Sequence, residues 1–274
     1  MGKKLKGVTI ERQQKWYEEH IQSLKPEYMY TPFWRADDIR SSGVKVKIPH
    51  KFTHGRLVHL LSLNELWMYL HLARNPLVVD VYEQFAIPLN FSLGVADDFG
   101  IEHPTHDKVS TPAVQTIDFV AELISPETGE IETHVIAVKH EEENDLTFRT
   151  EEKLALQKAY AKDQGYIYHL VTGNKLRTVF SVTLEMLYRH RTLPNYLATL
   201  SKSWLNNFAG AILDAPHERT AYLIDQASKS TGCNYQLGVQ LFYNAMWHKK
   251  LVWDFNQYLK LEVAASDLGV HLND

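Results

Sequence analysis

Between Thr9 and Leu24 the apolar positions Ile10, Trp16, Tyr17, Ile21 and Leu24 recur at near-helical spacing and Pro26 follows, so the pattern predicts a helix over residues 9–24. Residues 32–53 break that rhythm. Lys, Arg, Ser and Pro dominate there, and Ser41, Ser42 and Gly43 supply a turn, which predicts an extended basic arm. Ser62 then offers an N-cap to a helix carrying Leu66, Met68, Tyr69, Leu70 and Leu72, and Pro76 closes it. From Leu77 the pattern changes: residues 77–85, 114–124 and 131–138 are rich in β-branched and apolar side chains and predict strands. Ser125 to Gly129 forms a turn of hairpin length between the last two, which are therefore expected to be adjacent and antiparallel. Residues 150–164 return to helical spacing with Leu154, Leu156 and Tyr160, Gly165 ends the run, and residues 166–171 predict one more strand.

After Gly173 and Asn174 the strand signal fades. Helical patterns occupy residues 177–190, 195–208, 216–228 and 235–248. Residues 251–255 and 258–263, separated by Asn256 and Gln257, predict a β-hairpin beside a short helix bundle, as in winged-helix modules. The expectation is an α/β chain of two domains: residues 1–172, a basic arm plus a mixed-sheet domain, and residues 173–274, smaller, mostly helical and winged-helix-like. No internal repeat or low-complexity segment interrupts either part.

The 274 residues, 45% hydrophobic and 23% charged, fall within the globular range. Apolar runs are far shorter than the roughly 20 residues of a membrane span, and no apolar signal region follows the lysine-flanked start. Cys233 is the one cysteine, which excludes an intrachain disulfide framework and a cysteine-rich zinc site. A soluble, unexported, cytoplasmic protein is expected. The net charge of −4 hides an uneven distribution. Residues 1–60 hold 12 Lys/Arg against 6 Asp/Glu, residues 61–170 hold 7 against 19, and residues 171–274 hold 10 against 8. A basic leading segment before an acidic middle is what a metal-dependent nuclease shows, since cation ligands are carboxylates while phosphate contacts are Lys and Arg. An ordinary acidic domain with basic flanks shows the same balance.

Three residues stand out against their local pattern: Glu65 near a helix start, Asp118 within a strand of apolar neighbours, and Lys139 after Ile136, Ala137 and Val138. Each has a plain reading as well. Glu65 completes a capping box with Ser62, Asp118 could lie on a solvated face, and Lys139 stands where a strand meets water. Together they follow the order of the PD-(D/E)xK core: a helix carboxylate, then 53 residues on an Asp in the first strand of a hairpin, then 21 residues on a Lys in the second. In that core the carboxylates hold Mg²⁺ and the Lys stabilises developing charge or activates water. His50, His54 and His59 lie close together but lack the paired spacing of zinc sites, and read as phosphate or backbone partners.

A closer resemblance follows from longer blocks. Ser41-Ser42-Gly43, His50-Lys51, the run from Gly55 to Ser62, Glu65-Leu66, Val79-Asp80-Val81 with Glu83-Gln84-Phe85, Gly100 to Pro104, Thr116 to Phe119 and Val138-Lys139 occur in order. Over about residues 35–170 they resemble TnsA, the endonuclease subunit of Tn7-like heteromeric transposases. The resemblance implies a restriction-endonuclease-like catalytic domain followed by a helical domain of winged-helix character. It implies that Glu65, Asp118 and Lys139 are catalytic, with Mg²⁺, or Mn²⁺ in its place, held by Glu65, Asp118 and the carbonyl of Val138. It further implies a DNA endonuclease that cuts the 5′ strands at transposon ends. Its partners would be double-stranded DNA, a TnsB-like DDE transposase that cuts the 3′ strands, and a TnsC-like ATP-dependent regulator, with no membrane. Lys45, Lys47 and Arg56 are the expected phosphate contacts.

Two positions depart from the nuclease pattern. Ala137 stands two residues before the Lys, where an acidic residue or Gln is usual, and Gln157 stands where a further acidic residue is expected on the next helix. Glu141 shares a strand face with Ala137 and Lys139 if the strand continues, and water is the other candidate for the missing ligand. These departures motivate a second reading, a decayed DNA-binding assembly factor. A free-standing restriction or repair nuclease is a third.

Overall fold

The structure is a computed structural model that describes residues 8–39, 43–106 and 110–273. Ser41 and Ser42 of the expected turn lie outside the described residues. The chain divides into two compact units, residues 1–176 and 177–274. No helix among the described residues is long and apolar enough to cross a membrane.

In the first unit, α1 (Ile10–Gln22) starts at Thr9, whose side chain accepts the N–H of Arg12. Its buried positions are polar. Buried Gln13 donates to the Pro112 carbonyl at 2.7 Å and accepts the Val114 N–H at 2.9 Å. Buried His20 lies between the Thr31 carbonyl, 2.8 Å from Nδ1, and the Ala86 N–H, which donates to Nε2 at 3.2 Å. That pairing requires the proton on Nδ1 and a neutral ring. Trp16 and Tyr17 of this helix pack against the cluster of Phe33 and Trp34, which ties down the start of the segment expected to be an extended basic arm. Phe33, Trp34 and Ala36 are buried, and Phe33 and Trp34 pack with Ala86 and Val114. Residues 46–49 of that segment form β1 (Val46–Pro49), paired antiparallel with β2 (Leu57–Leu60) just beyond it, so this part is a β-ribbon and not a lone extended arm. Val58 and Leu60 are fully buried, so the ribbon has an inner face to bury.

After α2 (Leu63–Arg74) come β3 (Val78–Ala86), α3 (Leu89–Phe99), β4 (Thr116–Ile124), β5 (Ile131–Val138), α4 (Phe148–Asp163) and β6 (Ile167–Val171). The sheet order is β3-β4-β5-β6. The first three strands are antiparallel, and β5-α4-β6 is a crossover that leaves β6 parallel to β5. The expected hairpin is present, with Gly129 at φ 75° in its turn. Under the sheet, Ile87, Ile117, Val120, Val135, Tyr160 and Ala161 form a buried cluster, each large member contributing roughly 1.5–3 kcal/mol. The short α5 (Gly173–Leu176) closes this unit.

The second unit contains α6 (Val179–Tyr188), α7 (Asn195–Ala198), α8 (Ser201–Asp214), α9 (Thr220–Thr231) and α10 (Tyr235–Trp247). The single helix expected over residues 195–208 is split in two by a break at Thr199 and Leu200. Trp204 and Phe208 stack at 5.0 Å, and Phe242 meets Phe208 edge-on. The expected wing takes a different form. β7 (Leu251–Val252) pairs with β8 (His271–Leu272), and residues 258–263 form no strand, running through irregular backbone into a turn. Burial of Trp253, Leu259, Leu268 and Val270 folds the intervening segment inward, and that decides the pairing.

Candidate active site

The chemistry-bearing groups come from three elements. Ser62, in extended backbone, caps α2: its Oγ accepts the Glu65 N–H at 3.1 Å. The Glu65 carboxylate turns back, accepting the Leu61 N–H on Oε2 at 2.9 Å and the Ser62 hydroxyl on Oε1 at 3.1 Å. The capping role is therefore real, and it also fixes the carboxylate at a defined place. The carboxylate receives a third donor, the Gln84 amide, on Oε2 at 3.4 Å. Glu65 is buried, and its carboxyl is pushed up to about 8, first by burial and then by the charge of Asp118. The Leu61 N–H, the Ser62 hydroxyl and Lys139 act against that rise.

Asp118 sits where the β4–β5 ladder opens. Pairing runs from Ile124 opposite Ile131 to Phe119 opposite Ile136. One residue further, Asp118 Oδ2 takes the Val138 N–H at 2.7 Å, replacing the main-chain acceptor that a continued ladder would provide. An aspartate is thus held mid-strand without an orphaned polar group. In an extended residue the N–H and C=O face the same side, so the Val138 carbonyl belongs to the same opened edge. Lys139 follows. Its N–H donates to the Val171 carbonyl at 3.0 Å, its own carbonyl accepts the Asn64 amide at 3.2 Å, and its ammonium lies 3.7 Å from Asp118 Oδ2. Asn64 pins the first turn of α2 to the end of β5, which brings Glu65 to the pair.

The donor set is all oxygen and carries more negative than positive charge, which fits a hard divalent cation that keeps several waters. Ala137 is fully buried and offers no ligand. Glu141 does not take its place along the strand: β5 ends at Val138, a bend follows at His140 and Glu141, and the Glu141 side chain is exposed. The continuation that would have set it on the Ala137 face is absent, because the next carboxylate, Glu142, accepts from the Thr172 hydroxyl and the Asn174 N–H and turns the chain away. Gln157 is buried, donates to the Thr116 carbonyl at 2.8 Å, and leaves Oε1 without a hydrogen-bond partner.

The expected phosphate contacts separate. Arg56 is buried: its guanidinium pairs with buried Glu83, donates to the Val81 carbonyl at 3.0 Å and covers the Tyr30 ring. It is a core residue, not a phosphate ligand, because Glu83 on β3 supplies the counter-charge that lets it leave water. The Lys45 ammonium is engaged by the Ala36 and Ile39 carbonyls. Lys47 remains at the surface, paired with exposed Asp37. His50 is neutral, pushed down to about 3 by burial and by Arg56, with Nε2 near the Val81 carbonyl and Nδ1 accepting the Thr53 N–H. His59 Nδ1 accepts the Ala36 N–H. Both His50 and His59 thus spend ring nitrogens on main-chain partners.

Sequence reasoning passed over Asn64 and Gln84. Gln84 did leave a trace, since Glu83 and Gln84 are adjacent polar residues inside a mostly apolar strand, which breaks a period of two.

Residues 75–173 match the family model described as TnsA-like endonuclease N terminal. Transposon Tn7 transposition protein TnsA of Escherichia coli is 30% identical over 167 residues, covering 60% of this chain and 57% of that protein. The match thus spans little more than half of the relative's length. Asp118 and Lys139 lie inside the matched span, and Glu65 precedes it by ten residues. The chain is thus similar to TnsA over 167 residues, and residues 75–173 resemble the TnsA-like endonuclease N-terminal domain.

Proposed function

We propose that this protein is a Mg²⁺-dependent DNA endonuclease, with Mn²⁺ able to substitute, that cuts the 5′ strands at transposon ends. The observation that carries the reading is the convergence of Glu65, Asp118 and Lys139 from α2, β4 and the end of β5 on one opened strand edge. Glu65, Asp118 and the Val138 carbonyl would hold the cation. When bound, it supplies Lewis-acid polarisation of the scissile phosphate and a more acidic attacking water. Lys139 places a positive charge beside Asp118, where it can orient the water or offset charge developing on the phosphate. Asn64 and Ser62 keep α2 in register with β5, so the two carboxylates approach the phosphate together. A TnsB-like DDE transposase cutting the 3′ strands and a TnsC-like regulator are the proposed partners, supported by the likeness to the Tn7 protein.

Asp118→Ala tests this in a reconstituted excision assay. The variant should fold and associate normally, fail to cut the 5′ strand, and convert cut-and-paste products into cointegrates. Wild-type products from Asp118→Ala would sink the assignment. They would favour the second reading, a DNA-binding assembly factor, for which Ala137 and Gln157 are the motivating observations.

A further inference from the structure

Gln84 lies in the middle of the nine-residue strand β3 with φ 49°. Among the described residues it shares a positive φ outside glycine only with Lys249. This left-handed conformation is strained for a residue with a β-carbon, and inside a strand it interrupts the ladder. Its consequences are specific. The register that pairs Glu83 with Phe119 and Phe85 with Ile117 sets Gln84 level with Asp118. The Gln84 carbonyl leaves the ladder and accepts the Phe33 N–H at 3.0 Å. The buried amide lies between two groups of the site: Oε1 accepts the Thr116 hydroxyl at 3.1 Å, and Nε2 donates to Glu65 Oε2 at 3.4 Å. The Thr116 carbonyl is in turn held by Gln157 at 2.8 Å. With the Thr116 hydroxyl on the oxygen end, the amide presents its donor end to the carboxylate. A glycine would meet the same backbone demand with less strain, so the side chain is what the strained residue contributes.

We propose that Gln84 is a positioning residue of the nuclease site, holding the Glu65 carboxylate beside Asp118 through its amide while Thr116 sets which end of that amide faces inward. The assignment rests on the nuclease reading above. It acts through Glu65 and touches neither metal nor DNA. Its weight is raised by Ala137, because a site short of one protein ligand depends more on the aim of those that remain. The long 3.4 Å contact is of the kind that tightens when a site is loaded.

The full-length protein and its Gln84→Gly, Thr116→Val and Asp118→Ala variants would be compared by thermal melting without metal, by calorimetric Mn²⁺ binding and by DNA cutting across Mg²⁺ concentrations. Gln84→Gly should melt at or above the wild-type temperature, because strain is relieved. It should nevertheless bind Mn²⁺ about tenfold more weakly and need correspondingly more Mg²⁺ for half-maximal cutting, with a smaller loss in rate at saturating metal. Thr116→Val should move both metal readouts in the same direction, by about threefold, because only the orientation of the amide is lost. A folded Gln84→Gly protein with wild-type Mn²⁺ affinity overturns the assignment. If Gln84→Gly does not fold, Thr116→Val decides, and unchanged Mn²⁺ affinity there overturns it equally. Asp118→Ala separates the two levels: if it binds Mn²⁺ as the wild type does, the nuclease reading itself fails and the Gln84 assignment falls with it.

Discussion

A buried carboxyl that titrates near 8 keeps its proton at a pH where the unfolded chain has lost it, and for Glu65 this sets a sign for stability against pH. Between the ordinary value of 4.5 and about 8 the native state binds more protons than the unfolded state, so metal-free stability falls as pH rises through that window. On the proposed function Mg²⁺ would displace that proton, so its stabilising effect should grow with pH over the same range. Urea melts between those limits, with and without Mg²⁺, read this directly. Glu65→Gln should flatten the metal-free slope, and an unchanged slope would assign the titration elsewhere. Arg56 gives a second residue-scale test, because its guanidinium and Glu83 are both inside. Arg56→Met leaves a buried carboxylate without its partner and should cost about 3–5 kcal/mol by denaturant unfolding. Its folded fraction should keep the wild-type salt dependence of DNA affinity. Lys47→Met should instead leave stability nearly unchanged, since an exposed ion pair is worth little, and lower the salt slope by about one.

At the scale of elements, the strands and helices with local punctuation were the ones the chain announced. Ser62 and Glu65 marked the start of α2, and Gly129 marked the β4–β5 turn. α3 was not announced, because Pro88 precedes it with no side-chain cap and its buried positions include Ser92 and Ala96, which carry little apolar signal. The β1–β2 ribbon was hidden by its shortness and by the polar run around it, with Lys47 on the outward face of β1. Helix contact in the second unit turns on one glycine. A β-carbon on Gly238 would lie 1.8 Å from Ser228 Oγ, the same atom that accepts the Trp204 indole N–H at 3.2 Å and donates to the Ile224 carbonyl at 2.6 Å. Gly238→Ala should therefore force α9 and α10 apart and cost about 3 kcal/mol, measured as a lower melting temperature. A melting temperature equal to that of the wild type would mean that the contact yields freely.

On the scale of the whole molecule, the division between residues 176 and 177 makes that last defect local: Gly238→Ala should lower the unfolding of the second unit while leaving Mn²⁺ binding at Glu65 and Asp118 intact, checked by calorimetry on one sample. The charge asymmetry that first pointed to a DNA partner also changes meaning at this scale, since Arg56 and Lys45 serve the fold and Lys47 is left as the surface cation of the three. What the amino-acid order determined alone was the run from α2 through β3, β4, β5, α4 and β6 apart from α3, the β4–β5 hairpin, and which residues were out of place: Glu65, Asp118 and Lys139. These are readable because periodicity, caps and turns are set by neighbours a few residues away. Tertiary structure decided that Asp118 replaces a main-chain acceptor at Val138, that Glu83 draws Arg56 inward, that Gln84 reaches Glu65, and that Leu251–Val252 pairs with His271–Leu272. Each of those depends on a partner 19 to 27 residues away along the chain, where burial and charge compensation between distant segments choose among pairings that local pattern leaves equivalent.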